Sequence, residues 1–292
     1  MRNMSLIAGH NGADMNRRHF LRSSFAVGAC LLTSYPVLIE RNLLRINQYR
    51  IPVTNLPVSF HDFKIVQITD LHYGPLVSLD FVAEVVQKAN NLAGDIIVCT
   101  GDYVHGNKEV DHVDAVWPLL GELAAPYGVW SVLGNHDHWA DLGRSNYWLQ
   151  KTGQDLRHKC RKIEKGDDAI WLGGAGDYLE DRLGVDELFY NVPDDGCRIL
   201  LSHNPDSADE PFRTSVDLII SGHTHGGQVV FPIIGAPVLP VRNKKYASGF
   251  VQTEKCGLFI SKGIGWSILP VRVNCFPEIA VLRLVRRGSA PT

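Results

Sequence analysis

The residues able to do chemistry in this chain are carboxylates, an amide and imidazoles set beside glycines: Asp70-Leu71-His72, Gly101-Asp102, Gly134-Asn135-His136-Asp137, Ser202-His203 and Gly222-His223-Thr224-His225. Oxygen and imidazole donors without a thiolate suit manganese, iron or zinc. A carboxylate has two oxygens and can lie between two dications, whereas an amide oxygen ligates without adding charge. A site of this composition stays net positive and attracts an anionic substrate such as a phosphate. Taken singly, each piece has an ordinary reading, since Gly-Asp dipeptides and loop histidines are usually turns or solvated side chains. Their placement gives them weight.

From residue 63 onward, short apolar β-branched runs alternate with helical patterns, the signature of an α/β architecture. Strands are expected over 63–69, 95–100, 128–133, 169–173, 198–202, 216–221, 257–261 and 279–285, each apolar and bounded by turn residues. Val82, Val85, Val86 and Ala89 recur at helical spacing and predict a crossover helix over 79–89, with further helices near 112–123 and 142–151. Asp70 and His72 then follow the first strand, Asp102 the second, Asn135 and His136 the third, His203 the fifth, and His223 and His225 the sixth. Carboxyl ends of strands in open α/β sheets gather at one rim, where ligands bind. Gly101, Gly134, Gly222, Gly226 and Gly227 permit sharp turns and close backbone approach there. The acidic stretch 174–196 reads as a solvated connection.

With 292 residues, the chain is long enough for one large catalytic domain and short for two. Hydrophobic residues at 45% and charged residues at 21% describe a folded globular protein, and a net charge of -2 lacks the Lys/Arg excess of a nucleic-acid binder. Nucleic acid is not an expected partner. Six cysteines form no Cys-x-x-Cys pair. Cys99, inside an apolar run, reads as a small core hydrophobe, while Cys160 and Cys197 could pair in an exported protein.

Asn16-Arg17-Arg18-His19-Phe20-Leu21-Arg22 precedes an apolar stretch over 23–39. Positive charge before an apolar segment describes a secretory signal, and the arginine pair resembles a twin-arginine export signal. The expected partner is then the twin-arginine export machinery, and the expected location the periplasm, cell envelope or outer face of the inner membrane. No clean Ala-x-Ala cleavage site follows, and the stretch is short for a spanning helix, so a cleaved signal and a membrane-associated anchor both stay open. Val27-Gly28-Ala29-Cys30 faintly resembles a lipoprotein box. Residues 1–45 are assigned to this address, 46–292 to the catalytic domain, and 46–62 to a lead-in.

The five motifs, in this order, resemble the calcineurin-like metallophosphoesterase family from about Phe63 to the end of the chain. Gly226-Gly227-Gln228 and Arg272-Val273-Asn274-Cys275 are similar to its exported or membrane-associated bacterial branch. The resemblance implies a four-layer α/β/β/α sandwich with two mixed sheets flanked by helices. It implies two divalent metal ions (manganese, zinc or iron), one held by Asp70, His72, Asp102 and His225 and the other by Asp102, Asn135, His203 and His223, with Asp102 as bridge. Metal-activated hydroxide would attack phosphorus in line, His136 would be the general acid, and Asp137 would orient it. Where Ser/Thr protein phosphatases of this superfamily carry an arginine, Tyr103-Val104-His105 follows Asp102, which leans the implied activity toward diesters or lipid-linked pyrophosphates; His105 is either a substrate contact or a solvated loop histidine. The apolar loop 229–240 reads either as a strand pair or as a greasy, basic-rimmed approach for an envelope lipid. Two alternatives accompany the phosphodiesterase reading: hydrolysis of a nucleotide-linked lipid such as UDP-diacylglucosamine, and a non-catalytic metal-binding scaffold.

Overall fold

Runs of Val and Ile that do not alternate with polar residues suit strands buried on both faces, and such runs form the centre of this fold. A computed structural model describes residues 16–287. In chain order the strands are β1 (Arg45–Val53), β2 (Lys64–Ile68), β3 (Ile96–Cys99), β4 (Val129–Ser131), β5 (Lys159–Lys165), β6 (Asp168–Gly174), β7 (Cys197–Leu201), β8 (Leu218–Ser221), β9 (Gly249–Gln252), β10 (Gly257–Ile260) and β11 (Glu278–Arg286). The α-helices are α1 (Arg17–Ser34), α2 (Leu79–Asn91), α3 (Val110–Leu120), α4 (Asn135–Thr152) and the single turn α5 (Val185–Leu188).

One sheet has the order β1-β11-β2-β3-β4 and the other β5-β6-β7-β8-β10-β9. Antiparallel joins at β11–β2, β5–β6 and β10–β9 make both sheets mixed, while the strands that carry site residues, β2, β3 and β4 in one sheet and β7 and β8 in the other, run parallel to one another. Val66, Ile68, Ile97 and Cys99 pack under α2 and α3. Ile65, Ile96 and Val98 turn the other way and meet Ile199, Leu201 and Ile220 of the second sheet. Outside that sheet, Leu200, Ile219 and Leu258 are covered by Phe189 and by Ala208 of a 3-10 turn. The four-layer α/β/β/α sandwich is therefore present, with one thin outer layer. Helix α2 forms as its spacing predicts: Ser78 caps it by accepting from Phe81 N–H at 3.2 Å, and Val82, Val85, Val86 and Ala89 face the sheet. Burial of each of those valines contributes roughly 1.5–3 kcal/mol, so an aspartate at Val85 would detach the helix.

All eight expected strands form, but three more do. Residues 46–62 are not a lead-in: β1 pairs along its length with β11, from Arg45 opposite Glu278 to Val53 opposite Arg286. Its signal is hidden because Asn47 and Tyr49 donate to the buried Glu278 carboxylate, and because Pro52 is tolerated on an edge strand. Ordered packing even precedes residue 45, since buried Glu40 accepts from Cys275 N–H at 2.9 Å. Helix α4 opens at Asn135 with a segment not expected from the sequence; the backbone then breaks at Asp141 (φ −172°, ψ 104°), whose carboxylate accepts from Arg144 N–H at 2.7 Å and caps the helix expected over 142–151. The acidic stretch is not wholly solvated, for Asp177 is fully buried and accepts from the Leu179 and Glu180 amides. Cys99, Cys160, Cys197, Cys256 and Cys275 are free thiols, so Cys160 and Cys197 do not pair. Residues 1–15 and the side chains of Val27, Ala29 and Cys30 lie outside the described residues, among which no helix is long and apolar enough to cross a membrane.

Candidate active site

The strands end where the chemistry begins. Asp70 and His72 lie past β2, Asp102 past β3, Asn135 at the start of α4 past β4, His203 past β7, and His223 and His225 past β8. Backbone bonds tie these ends together: Asp70 N–H donates to Gly101 O at 2.9 Å, His72 N–H to Asp102 O at 3.0 Å, and Gly222 N–H to His203 O at 2.9 Å. The fully buried Gln67 side chain joins the two sheets beneath, donating to Thr100 Oγ1 and to Ser221 O, both at 2.9 Å. Asp70, His72, Asp102, His223 and His225 all adopt left-handed backbone, with φ of 55°, 49°, 56°, 68° and 51°. Gly134 and Gly222 give the carboxylates room, because an added Cβ would lie 2.3 Å from Asp102 Oδ1 and 2.4 Å from Asp70 Oδ2 respectively.

All seven predicted ligands come together. Asp70, His72 and His225 form one cluster and Asp102, His203 and His223 another, with the ligand atoms of each within 4.8 Å of one another. Asp102 Oδ2 lies between the clusters, 3.5 Å from His72 Nε2 and 3.2 Å from His203 Nε2. Asn135 Oδ1 is buried without a hydrogen-bond partner, as an amide oxygen reserved for a cation would be. His203 Nδ1 meets Thr100 O at 2.7 Å and His223 Nε2 meets Pro240 O at 3.0 Å. A carbonyl only accepts, so those nitrogens carry protons, and in the neutral rings the lone pairs fall on His203 Nε2 and His223 Nδ1. These two atoms face each other at 3.1 Å beside the Asp102 carboxylate. Three electron-pair donors thus converge on a point that demands positive charge.

Burial opposes charge on His203, yet the Asp102 carboxylate overrides it and raises the imidazole to about 10. Asp102 is correspondingly held well below its usual value: burial would raise it, but His203 outweighs that. Burial, with His203 adding repulsion, lowers His223 to about 4. His72 and His225 are also lowered by burial, which keeps them neutral and able to ligate. The donor set therefore fits divalent cations.

His136 lies on the open side, its N–H donating to Asp102 Oδ1 at 2.9 Å and its Nδ1 buried without a partner. Burial lowers its imidazole. The ring packs edge-on to His72 at 4.6 Å and stacks with His105 at 5.4 Å. Asp137 does not orient His136. Its carboxylate accepts from the Asp102, Gly134 and Tyr103 amides at 2.8, 2.9 and 2.9 Å, clamping the Asp102 loop to the start of α4. Sequence adjacency misled here because consecutive residues in a first helical turn point in different directions.

The calcineurin-like phosphoesterase family matches residues 63–227. The chain belongs to this family. It is accordingly a metal-dependent phosphoester hydrolase, and its clusters could hold the metal. The Bacillus subtilis protein named as the uncharacterized metallophosphoesterase YkuE is 32% identical over 280 residues, covering 92% of this chain and 98% of its own. An uncharacterized metallophosphoesterase of Aquifex aeolicus is 32% identical over 268 residues, covering 89% and 99%. The Escherichia coli phosphodiesterase YaeI is 30% identical over 233 residues, covering 76% and 82%.

Within this metallophosphoesterase the site opens into a cavity of about 870 Å³, lined beyond the ligands by His105, His136 and Trp139 and by Val238, Ile268 and Leu269. His105 is thus a cavity residue rather than a solvated loop histidine. Arg272, which the sequence motifs included without giving it a role at the site, is fully buried behind His225. Its guanidinium donates to Gly265 O, Lys262 O, Gly263 O and Cys275 O, and lies 3.5 Å from His225 Nδ1. No ligand spacing flags it; the signals were its place in the Arg272-Val273-Asn274-Cys275 motif and an arginine inside an apolar stretch.

Proposed function

We propose that this hydrolase is a two-metal phosphodiesterase. The reading is carried by one observation, the convergence of His203 Nε2, His223 Nδ1 and Asp102 Oδ2, with Asp102 also facing the Asp70–His72–His225 cluster. Asp70, His72, Asp102 and His225 would hold one cation, and Asp102, Asn135, His203 and His223 the other. Bound manganese, zinc or iron supplies Lewis acidity that lowers the pKa of water toward neutrality and neutralises charge at the phosphate. The chain's own part is to aim the substrate: the cavity admits it from the His136 face, and His136 gives the leaving oxygen its proton. Burial lowers the ring's proton affinity, so the imidazolium, once formed, gives up its proton readily and must be reprotonated before the next cycle. No arginine follows Asp102 to clamp a dianion, and His105 takes that side of the cavity, which favours a monoanionic diester.

The apolar cavity wall favours, as a second substrate reading, a nucleotide-linked envelope lipid such as UDP-diacylglucosamine. The Arg17-Arg18 motif supports export by the twin-arginine route to the periplasm or cell envelope. The deciding experiment measures metal content and hydrolysis of bis-p-nitrophenyl phosphate for Asp102→Asn. Loss of metal from both positions and about a thousandfold lower turnover are expected, a scale in keeping with removal of a principal electrostatic stabiliser. Undiminished turnover would refute the bridging role, and a metal-loaded parent inactive on every phosphoester would support the scaffold alternative. A panel of simple diesters, nucleotides and lipid-linked diphosphates separates the two substrate readings.

A further inference from the structure

Three neighbouring segments, two of which reach the cavity wall, carry nine of the 21 large apolar side chains left exposed among the described residues. Leu38, Ile39 and Leu43 are exposed on the first, Phe231, Ile233, Ile234 and Val238 on the second, and Ile268 and Leu269 on the third. They form one surface because hydrogen bonds pin them together. Arg272 N–H donates to Pro36 O at 3.3 Å and Arg41 Nη1 to Pro270 O at 3.2 Å, joining the first to the third. Val230 N–H donates to Val273 O at 2.9 Å and Gln228 Nε2 to Ser267 O at 3.0 Å, joining the second to the third.

Two further observations say what covers this surface. Ile233 and Ile268, at the loop tips, both have left-handed backbone, with φ of 75° and 63°. A β-branched residue is a genuine outlier there, and such strain persists where function holds it. Apolar exposure and backbone strain coincide at the same two residues, and neither stabilises the isolated chain. The second observation is charge. Although the whole chain is slightly acidic, residues 228–248 and 262–277 contain no Asp or Glu, and over 35–46 the sole acid is the buried Glu40. The exposed charges beside the patch are basic: Arg45, Arg242, Lys244 and Lys245. Apolar segments whose own exposed charges are all basic match the acyl region and anionic headgroups of a bilayer, each basic residue adding attraction to the surface, while the nearest exposed acids, Asp209 and Glu180, belong to other segments and hydrogen-bond to Asn243, Tyr246 and Trp139.

We infer that this face docks on an anionic lipid bilayer, with Ile233, Ile234 and Ile268 entering the headgroup–acyl boundary, so that the catalytic cavity opens at the membrane surface. The inference stands independently of the metal count and of the phosphodiester reading, because its readout is membrane binding.

The test is co-flotation of the full chain with vesicles of equal parts phosphatidylglycerol and phosphatidylcholine, against pure phosphatidylcholine. The parent is expected to float with the anionic vesicles and several-fold less with the neutral ones. Ile233→Glu combined with Ile234→Glu, which leaves α1 intact, should weaken binding at least tenfold. Its hydrolysis of bis-p-nitrophenyl phosphate should match the parent, since neither isoleucine lines the cavity. Ile233→Gly removes the same side chain and relaxes its backbone, so it should melt higher than the parent and bind vesicles several-fold less. Absence of parental binding overturns the proposal. So does binding undiminished in both variants, which would assign it to α1, or concentration-dependent self-association abolished by the glutamates, which would assign the patch to a second copy of the chain.

Discussion

Replacing Gly134 by alanine isolates the fit around Asp102 from every other effect of substitution. At φ −104° and ψ 179° its backbone is extended, which alanine adopts without strain. The added Cβ would nonetheless lie 2.3 Å from Asp102 Oδ1 and 2.8 Å from two carbons of the His203 ring. Ordinary contact begins near 3.4 Å, so the carboxylate must retreat by about 1 Å. A displacement of that size in a catalytic constellation costs about a hundredfold in rate, or about 2.7 kcal/mol at 1.36 kcal/mol per decade. The assay is kcat/KM on bis-p-nitrophenyl phosphate alongside metal stoichiometry and circular dichroism. Expected are unchanged secondary structure, substoichiometric metal and kcat/KM lowered about a hundredfold. Gly143→Ala is the control, for there the nearest atom is Asp141 Oδ1 at 3.3 Å, away from the ligand residues, and alanine should leave activity and metal content intact. Full metal loading and parental kcat/KM in Gly134→Ala would refute the claim that this glycine makes room for the bridging carboxylate.

His136→Ala should keep its metal but lose roughly 10²–10⁴ in turnover, more on alkyl than on p-nitrophenyl leaving groups; equal losses would count against a proton-donating role. Arg272→Met leaves the carbonyls of Lys262, Gly263, Gly265 and Cys275 without their buried donor, and is expected to cost about 3–5 kcal/mol, seen as a melting temperature lower by about 10 °C or more. Chelation should likewise lower the melting temperature: metal present at about a thousandfold over its Kd contributes about 4 kcal/mol, so a drop on the order of 10 °C, reversed by manganese or zinc, is expected by calorimetry. A melting temperature indifferent to chelator would mean that the clusters hold no metal in the folded chain.

The central strands were legible because both their faces are buried: Ile96–Cys99 is apolar at every position, and no other local structure suits so short a run between turn residues. Strand β1 was not legible because its inward side chains, Asn47 and Tyr49, are polar and satisfied only by Glu278, more than two hundred residues away. The same distinction runs through the site. Ligands at strand ends announced themselves by type and order, while Arg272, Gln67 and the clamp made by Asp137 act on backbone groups, which leave no spacing pattern. Asp137 even drew a wrong role from its neighbour in sequence, since only the fold shows that its carboxylate caps α4 and grips the Asp102 and Tyr103 amides.

Five ligand residues in left-handed backbone carry a cost that the sequence cannot display. At about 1 kcal/mol each, the low end for this kind of strain, they sum to on the order of 5 kcal/mol, comparable with the whole net stability of a marginal domain. Such conformations persist only if something over-determines them, and the hydrogen bonds say what. Asp70 is held through its N–H by Gly101 O, His72 by Asp102 O, and His223 by the Asp70 carboxylate at 3.0 and 3.1 Å. These three are thus fixed by other strand-end loops, and Asp102 N–H by the Asp137 carboxylate at 2.8 Å, so none of the four can relax without moving its partner. The two packed sheets beneath, joined by Gln67, anchor all of these loops at once. Thr100 O and Pro240 O then fix the tautomers of His203 and His223 from outside the ligand set. Donor direction is therefore decided by backbone before any cation arrives, and loosening Gln67 or the Asp137 clamp should weaken metal binding although neither group touches it.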